Sequence, residues 1–262
     1  GKYRQLWQTI REIRQTHYDY IFNFQRFAAS GIMAVMARAR HKYGFAKNPL
    51  SRFFTRAFPH QIGNGMHETE RNQQLIAPLT NQRAARPALY PAKADKTSIS
   101  PYQDKAYACI APASVWFTKQ FPPEKWVELL NSLDTPVIYL IGSPDDFELA
   151  ERIREKTAHQ AVYNLCGKLS LLQTAALMQQ ARMNYVNDSA PLHLASAMNA
   201  PVRAVFLSTI PAFGFGPLSD NSRVVEIQEA LYCRPCGLHG YKSCPEGHFR
   251  CAYNIKTKQF KD

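Results

Sequence analysis

The sequence lacks any uninterrupted apolar run of the roughly 20 residues needed to span a bilayer, which excludes a membrane-spanning helix from it. It also lacks internal repeats and low-complexity tracts, so solenoid and fibrous architectures are excluded. Acidic residues are scarce, since 20 Asp and Glu stand against 32 Lys and Arg in 262 residues. The hydrophobic share of 45% is ample for buried cores, and the length exceeds that of a usual single domain. These features predict a basic globular protein with two domains.

A loop-rich stretch separates two parts of the chain. Residues 83–103 contain Pro87, Pro91 and Pro101 together with several Lys and Ser, a composition typical of a linker. We place the domain boundary near residue 100, which gives one domain of residues 1–100 and a second of residues 101–262.

Short apolar runs alternate with helical patterns in the second part. The predicted strands are residues 106–111, 137–141, 161–165, 183–186 and 202–207, and the predicted helices are residues 124–133, 147–157, 171–182 and 191–198. Repeated strand–helix units predict an α/β fold with a doubly wound parallel sheet. The loops after four of the strands, residues 114–119, 142–146, 166–170 and 187–193, should therefore converge at one edge of that sheet and form a ligand site.

Residues 188–193 are the most informative of these loops. They join a predicted strand to a helix that begins with Asp188, Ser189 and Pro191, so backbone N–H groups at the helix start would point toward a phosphate or a sugar oxygen. The alternative is that Asp188 or Ser189 caps the helix and His193 is a packed histidine.

Four segments resemble the ADP-heptose lipopolysaccharide heptosyltransferases of glycosyltransferase family 9. They are TKQFPPEKW at residues 118–126, IGSP at 141–144, NLCGKLSL at 164–171 and NDSAPLHLASA at 187–197, with weaker similarity at residues 18–25 and 67–72. The resemblance implies a GT-B type fold of two Rossmann-like lobes and inverting transfer of heptose from ADP-heptose to the inner core of lipopolysaccharide. Many family members have Gly where this sequence has Ala190. The Cβ of Ala190 keeps a phosphate further from the backbone than Gly would.

The same resemblance implies an N-terminal segment that precedes residue 1. Family members begin with a strand and a Gly-rich turn carrying an Asp, the expected general base for the acceptor hydroxyl, and this sequence starts after that region. The N-terminal lobe is therefore expected to be incomplete, the catalytic base is not assigned to any residue here, and the activity of this exact chain is in doubt.

The resemblance also implies roles for individual residues. The donor-binding residues carried over are Ser114, Thr118, Lys119, Asp146, Asp188, Ser189, Ala190 and His193. Lys119 suits the diphosphate as a flexible point charge, and Asp188 should accept hydrogen bonds from sugar hydroxyls. Asp146, or its neighbour Asp145, should meet the adenosine ribose, with a simple helix cap as the alternative. Gln25 and Arg26, at the end of an N-terminal strand, are candidates for the acceptor side, with a loop polar residue and a surface arginine as the alternative.

Four of the six cysteines lie close together near the C-terminus. Cys233, Cys236, Cys244 and Cys251 form the pattern C-x2-C-x7-C-x6-C. Four thiolates with a leading C-x2-C can hold a structural zinc ion, while reduced packed cysteines or disulfides are the alternatives. No metal or other cofactor is required for the transfer chemistry itself, because Lys119 and a helix N-terminus can stabilise the leaving diphosphate.

Positive charge is concentrated in the first part of the chain. Residues 1–60 contain 11 Lys or Arg and two Asp or Glu, and the basic residues between Arg38 and Arg56 are interleaved with phenylalanines. This pattern suits an anionic partner, and with the family resemblance we expect a phosphorylated glycolipid acceptor and a peripheral contact with an anionic membrane. A solvated face over buried aromatics is the alternative. Nucleic acid is disfavoured because no binding motif accompanies the charge.

The function expected from the sequence is an inverting glycosyltransferase with an ADP-sugar donor, in the cytoplasm and peripheral to the inner membrane. Three alternatives stay open: a transferase or epimerase acting on another nucleotide-sugar, a non-catalytic nucleotide-sugar binding module, and a zinc-containing nucleic-acid module.

Overall fold

The computed structural model describes residues 1–261, with the backbone alone at residues 2 and 3. The chain forms two compact units, Gly1–Ala85 and Arg86–Asp262. Among the helices of the described residues, none has both the length and the apolar character that crossing a bilayer requires.

The division between the units lies upstream of the position expected near residue 100. The proline-containing segment is part of the second unit, because Ile99 is buried in the core of that unit and the Leu89 N–H donates to the Ala197 carbonyl oxygen at 3.3 Å. Arg86 also pairs with Asp220, at 3.0 Å between Nη1 and Oδ1. The stretch read as a linker thus packs against the second unit along part of its length.

The first unit contains a three-stranded parallel sheet in the order β1-β2-β3. Its elements are α1 (Lys2–Ile13), β1 (His17–Asn23), α2 (Ala28–Met36), β2 (Arg38–Phe45), β3 (Arg56–Phe58) and α3 (Glu68–Ile76). Phe45, Phe58 and Leu75 form its buried apolar centre, since the last residues of β2 and β3 are paired in register and α3 covers them. Asn48 fixes the loop after β1 by donating from Nδ2 to the carbonyl oxygens of Gln25 and Phe27, at 3.1 and 3.0 Å.

The second unit contains a six-stranded parallel sheet. Its elements are α4 (Lys93–Ser98), β4 (Tyr107–Ala111), α5 (Pro123–Ser132), β5 (Val137–Leu140), α6 (Phe147–Lys156), β6 (Val162–Asn164), α7 (Leu171–Gln180), β7 (Met183–Asn187), α8 (Ala190–Met198), β8 (Val202–Phe206), β9 (Ser222–Glu226) and α9 (Arg250–Tyr253). The strands lie in the order β6-β5-β4-β7-β8-β9, so the chain reverses its direction of travel across the sheet between β4 and β7. A crevice opens at such a reversal point, beyond the carboxyl ends of the two strands.

The α/β prediction for this unit is confirmed. All five predicted strands and all four predicted helices are present, with ends shifted by one or two residues. β4, β5 and β8 are buried along their whole length, which explains why their sequences do not alternate between apolar and polar residues. β4 and β5 are apolar throughout, and β8 is apolar except for the buried Arg203. Two apolar clusters cover the two faces of the sheet, one around Trp126 and one around Leu177.

Local signals in the sequence explain where the helices begin. At α7 a capping box is formed, because the Gln173 N–H donates to Ser170 Oγ at 3.2 Å and the Ser170 N–H donates to Gln173 Oε1 at 2.9 Å. At α5 the first helical residue is Pro123, whose missing N–H costs nothing at that position. These caps set the lengths of the loops that precede the helices.

Candidate functional site

A cleft of about 650 Å³ lies at the carboxyl edge of the six-stranded sheet. Each of the four loops expected to converge there contributes to it. The lining includes Ser114 and Val115 after β4, residues 142–146 after β5, Gly167 and Leu169 after β6, and Ser189, Ala190 and Pro191 after β7. A volume of this size is typical of small-molecule sites.

The N-terminus of α8 borders this cleft. Its N-cap residue, Ser189, is extended and makes no side-chain capping hydrogen bond, and Pro191 has no N–H to satisfy. The Ser189 hydroxyl is directed instead to the Asn187 carbonyl oxygen, at 3.4 Å. The expected alternative, in which Asp188 or Ser189 caps the helix, is therefore wrong. The positive end of the α8 dipole faces a cleft-lining turn, which is an arrangement that favours an anion.

Lys119 and Asp188 form an ion pair at the end of β7. Lys119 Nζ lies 2.7 Å from Asp188 Oδ2, and the two side chains are 16% and 7% exposed. Thr209 Oγ1 donates to the same carboxylate oxygen at 2.6 Å. Asp188 thus fixes the lysine in place rather than presenting both oxygens to solvent.

Asn187 holds the loop that carries Lys119. Its side chain is fully buried, and Nδ2 donates to the carbonyl oxygens of Pro112 and Ala113, at 2.8 and 3.3 Å. Its Oδ1 accepts from the Phe121 N–H at 3.0 Å. Residues 114–119 are therefore tied at both ends to a single side chain of β7.

The opposite side of the cleft is acidic. Asp146 Oδ2 accepts from the Ser143 N–H at 2.7 Å and from Ser143 Oγ at 2.8 Å, while Asp145 is exposed. Gly142 is required beside them, because a side-chain carbon there would lie 2.7 Å from Asp146 Oδ2 and 3.1 Å from Cys166 Sγ. Residues 144–146 form a short 3-10 turn that leads into α6, and the Asp146 carboxylate closes the capping box of that turn with Ser143. The helix-cap alternative for Asp146 is therefore confirmed, and its contact with the ribose stays a prediction.

Comparison with known proteins identifies the family. A family model described as glycosyltransferase family 9 (heptosyltransferase) matches residues 6–241. The chain belongs to glycosyltransferase family 9. Lipopolysaccharide heptosyltransferase 1 of Pseudomonas aeruginosa is 26% identical to this family 9 chain over 274 residues, covering 98% of the chain and 75% of that protein. Lipopolysaccharide heptosyltransferase 1 of Escherichia coli K12 is 28% identical over 223 residues, covering 80% and 68%.

Solved structures of related proteins share the fold of the family 9 chain. The E. coli ADP-heptose lipopolysaccharide heptosyltransferase II superposes with a TM-score of 0.72 at 20% identity, covering 98% of this chain and 77% of that one. An E. coli heptosyltransferase solved with ADP gives a TM-score of 0.63 at 24% identity, covering 84% and 70%. The predicted GT-B type fold and the predicted family are confirmed.

The structure brings most of the predicted donor-binding residues together. Ser114, Asp146, Ser189 and Ala190 line the cleft, and the Lys119–Asp188 pair lies next to Ser189 in the chain. Thr118 differs, because its side chain is 1% exposed and its hydroxyl oxygen accepts from the Tyr241 N–H at 2.7 Å. The structure therefore corrects the role of Thr118 from a donor contact to a loop contact.

His193 and the acceptor-side candidates lie elsewhere. His193 is on the exposed side of α8 with its ring 6.4 Å from that of Phe215, so it is not one of the residues that line the cleft. Gln25 and Arg26 belong to the first unit, where Gln25 is exposed and its carbonyl oxygen is bound by Asn48. Their acceptor role stays a prediction.

The four cysteines near the C-terminus differ in how deeply they are buried. Cys233, Cys236 and Cys244 are partly buried and Cys251 is buried in the apolar core, while Cys233 Sγ lies 4.0 Å from His248 Nε2. Among residues 1–261, no three His, Cys, Asp or Glu side chains are arranged to hold a metal ion. Burial raises the pKa of the Cys251 thiol to about 12. A bound zinc ion stays a prediction for metal analysis.

Two residues of the site were not assigned roles from the sequence. Thr209 completes the Asp188 contact, and Asn187 organises the loop after β4. Asn187 is the last residue of β7 and Thr209 follows β8, so the rule that polar residues after parallel strands converge could have found both in this family 9 chain.

Proposed function

We propose that the cleft binds a nucleoside-diphosphate sugar, ADP-heptose, and that the protein transfers the heptose to a lipopolysaccharide core acceptor with inversion at the anomeric carbon. The observation that supports the donor site most directly is the uncapped N-terminus of α8 beside Lys119. A lysine and a helix N-terminus together provide the cation and the N–H donors that a diphosphate needs. The names of the related heptosyltransferases support heptose as the sugar.

The two sides of the cleft suit the two halves of this donor. Apolar residues after β6, namely Leu169 and the exposed Leu171, give a surface for a planar base, and the exposed Asp145 is suited to accept from ribose hydroxyls. The diphosphate would then lie at the Ser189–Ala190 turn, with the sugar directed toward the open side of the cleft.

The proposed chemistry is a single displacement. The acceptor oxygen forms a bond to the anomeric carbon on one face while the bond from that carbon to the diphosphate oxygen breaks on the other. The electron pair goes to the diphosphate, whose developing charge Lys119 and the α8 N–H groups stabilise. A general base takes the proton of the acceptor hydroxyl. In this proposal the cleft residues act on the donor, and none of them is assigned that base role.

Asp188 acts on the donor through Lys119. Its Oδ2 already accepts from Thr209 and contacts the lysine, so in place of the contact with sugar hydroxyls we propose that Asp188 balances the Lys119 charge and shares the lysine with the diphosphate. When the diphosphate binds, the ammonium group can contact both anions, because lysine has three donors.

Titration calorimetry tests the donor assignment. ADP, ADP-heptose and UDP-sugars are titrated into the wild-type chain, Lys119→Ala, and the control Lys156→Ala, which removes the same charge from the exposed last turn of α6. We expect ADP and ADP-heptose to bind and Lys119→Ala to weaken them by about 1.5 to 3 kcal/mol, a charge-assisted contact. Lys156→Ala should bind as the wild type does.

Other outcomes would favour other functions. Binding of UDP-sugars in place of ADP-heptose would show that the donor is a different nucleotide-sugar. Binding of ADP-heptose without transfer to a lipopolysaccharide core acceptor would favour a binding module. An absence of all nucleotide binding would refute the donor site. The glycolipid acceptor, the membrane contact and the cytoplasmic location stay predictions, supported by the basic residues of the first unit.

A further inference from the structure

The segment between β9 and α9, residues 227–249, contacts the turn that carries Lys119; we call this segment the Cys-rich loop. The Thr118 N–H donates to the Tyr241 carbonyl oxygen at 3.1 Å, and the Tyr241 N–H donates back to Thr118 Oγ1 at 2.7 Å. Ser208 Oγ donates to the same Thr118 oxygen at 3.0 Å. The residue before Lys119 is therefore bonded to the Cys-rich loop in both directions.

Gly240 is packed directly against this turn. Its φ is +81°, and an added Cβ would lie 2.9 Å from Thr118 Oγ1, 3.1 Å from Lys119 Cγ and 3.2 Å from Trp116 Cβ. These distances are shorter than ordinary van der Waals contacts for carbon. Any side chain at residue 240 would have to displace the Lys119 turn or the Cys-rich loop.

The Cys-rich loop is itself anchored to the segment after β8. The Cys236 N–H donates to the Ser208 carbonyl oxygen at 2.9 Å. Arg234 donates to the carbonyl oxygens of Leu207 and Thr209, at 2.6 and 3.0 Å. Thr209 is also the partner of Asp188. One loop therefore holds both the lysine turn and the residue that fixes the carboxylate beside the lysine.

A ring contact supports the same placement from the other end of the loop. Phe117 stacks on Phe249, with ring centroids 5.1 Å apart and planes inclined by 30°. Phe249 is 5% exposed and belongs to the core of the second unit, whereas Phe117 is half exposed and packs on it from outside. Three consecutive residues, Phe117 to Lys119, thus lie against the Cys-rich loop: Phe117 at Phe249, Thr118 at Tyr241 and Lys119 at Gly240.

We propose that Gly240 is a positioning residue for Lys119, and that the Cys-rich loop serves to hold the Lys119 ammonium group at the diphosphate position. The inference rests on the proposed donor role of Lys119 and deepens it. Gly240 does not touch the donor; it allows the loop to approach closely enough to fix the turn. The loop holds the Lys119 turn through its hydrogen bonds and close packing, and this role does not depend on a bound metal ion.

Gly240→Ala and a matched control separate contact from backbone strain. Gly247 lies in the same loop with φ +70°, and an added Cβ there would meet nothing within 4 Å. Gly247→Ala therefore carries a similar left-handed strain without the contact to Thr118 and Lys119. We expect Gly240→Ala to raise the dissociation constant of ADP by about fivefold or more, a large part of the Lys119 contribution, and Gly247→Ala to leave it unchanged.

The Lys119→Ala background shows whether Gly240 acts through the lysine. In that background Gly240→Ala should have no further effect on ADP affinity, because the group it positions is gone. Thr118→Val, which removes the oxygen that accepts from Tyr241, should weaken ADP binding in the same way, and Thr118→Ser should restore it. If Gly240→Ala fails to fold, the Thr118 variants still test whether contact with the Cys-rich loop positions Lys119.

Each outcome decides between the inference and the proposed function. Equal effects of Gly240→Ala and Gly247→Ala, or a Gly240→Ala effect that persists without Lys119, would overturn the positioning role while the donor site stands. If Lys119→Ala weakens ADP binding but Thr118→Val does not, the loop contact is irrelevant to the lysine and the inference fails. If the wild-type chain binds no ADP, the proposed function fails and this inference fails with it.

Discussion

Replacing Asp188 with Asn should lower stability and raise ADP affinity at the same time. The substitution keeps the size of the side chain but removes the negative charge 2.7 Å from Lys119 Nζ. Thr209 Oγ1 can still donate to the amide oxygen, so the main loss is the ion pair itself. The lysine is left with a positive charge that is only 16% exposed.

The magnitude follows from the burial of the pair. Removing one partner of a fully buried pair costs about 3 to 5 kcal/mol, and a charged hydrogen bond contributes about 1.5 to 3 kcal/mol. Because the lysine retains some access to water, we expect about 2 kcal/mol. In a unit of this size that corresponds to a fall in melting temperature of roughly 4 to 8 °C.

The affinity for ADP should move the other way. In the wild type the diphosphate meets Asp188 as a neighbouring negative charge and shares Lys119 with it. In Asp188→Asn the repulsion is gone and the lysine has no other anion to contact, so ADP should bind about tenfold more tightly, a difference of about 1.4 kcal/mol. Added ADP should then recover most of the lost melting temperature by binding the folded state.

Differential scanning calorimetry with and without ADP measures both effects. Asp104→Asn, an exposed residue before β4, serves as the control for loss of one negative charge. A Lys119→Met/Asp188→Asn double variant should be less destabilised than the sum of the single changes, since it leaves no unpaired charge. An Asp188→Asn variant with an unchanged melting temperature, or with weaker ADP binding, would refute the reasoning.

Two further predictions concern ionisable groups away from the lysine. At pH 8, iodoacetamide should modify the partly buried Cys233 and Cys244 but not Cys109 or Cys166, because burial raises the pKa of both buried thiols, that of Cys166 to about 12. Mass spectrometry of the alkylated native protein checks this, and fast labelling of Cys166 would contradict it. Metal analysis of the protein before alkylation tests the zinc prediction. In the first unit, burial lowers the pKa of His60 in the folded protein below its ordinary 6.5. Below pH 6.5 the unfolded chain therefore binds more protons at this residue than the folded protein does, and the free energy of unfolding falls as the pH drops through about 6.5. Urea unfolding at pH 5.5 and 7.5 should show this slope in the wild type and less of it in His60→Gln; stability that rises on acidification would contradict the assignment.

The fold of the second unit was largely predictable because its strands are buried on both faces. Residues 107–111 and 137–140 are apolar throughout, residues 202–206 are apolar except for the buried Arg203, and helical patterns follow most of the strands. β9 was missed because only Val225 along it is fully buried and Arg223 and Glu226 are charged, so its sequence does not stand out from a loop. Pairing with β8 stabilises it, and such a contact is not visible in a local pattern.

The candidate site was predictable as a set of loops but not as a set of contacts. The convergence of Ser114, Asp146 and Ser189 follows from strand order alone. The direction of the Thr118 side chain does not, because it depends on Tyr241, which lies far along the chain. In the same way, the pairing of Lys119 with Asp188 depends on how two loops approach each other. Side-chain roles that rest on distant partners require the three-dimensional structure.

The burial of Asn187 has a consequence for the thermodynamics of binding. One amide side chain joins the residues that begin and follow the 114–119 loop through three hydrogen bonds, so the backbone of that loop is ordered before any ligand arrives. Ordering a free loop on binding costs conformational entropy, and a loop that is already fixed avoids most of that cost. Nucleotide binding to this cleft should therefore show a small entropic penalty and little movement of the loop. In Asn187→Ala the 114–119 loop would lose these hydrogen bonds, so the entropic cost of ordering it would be met when the nucleotide binds and not when the protein folds.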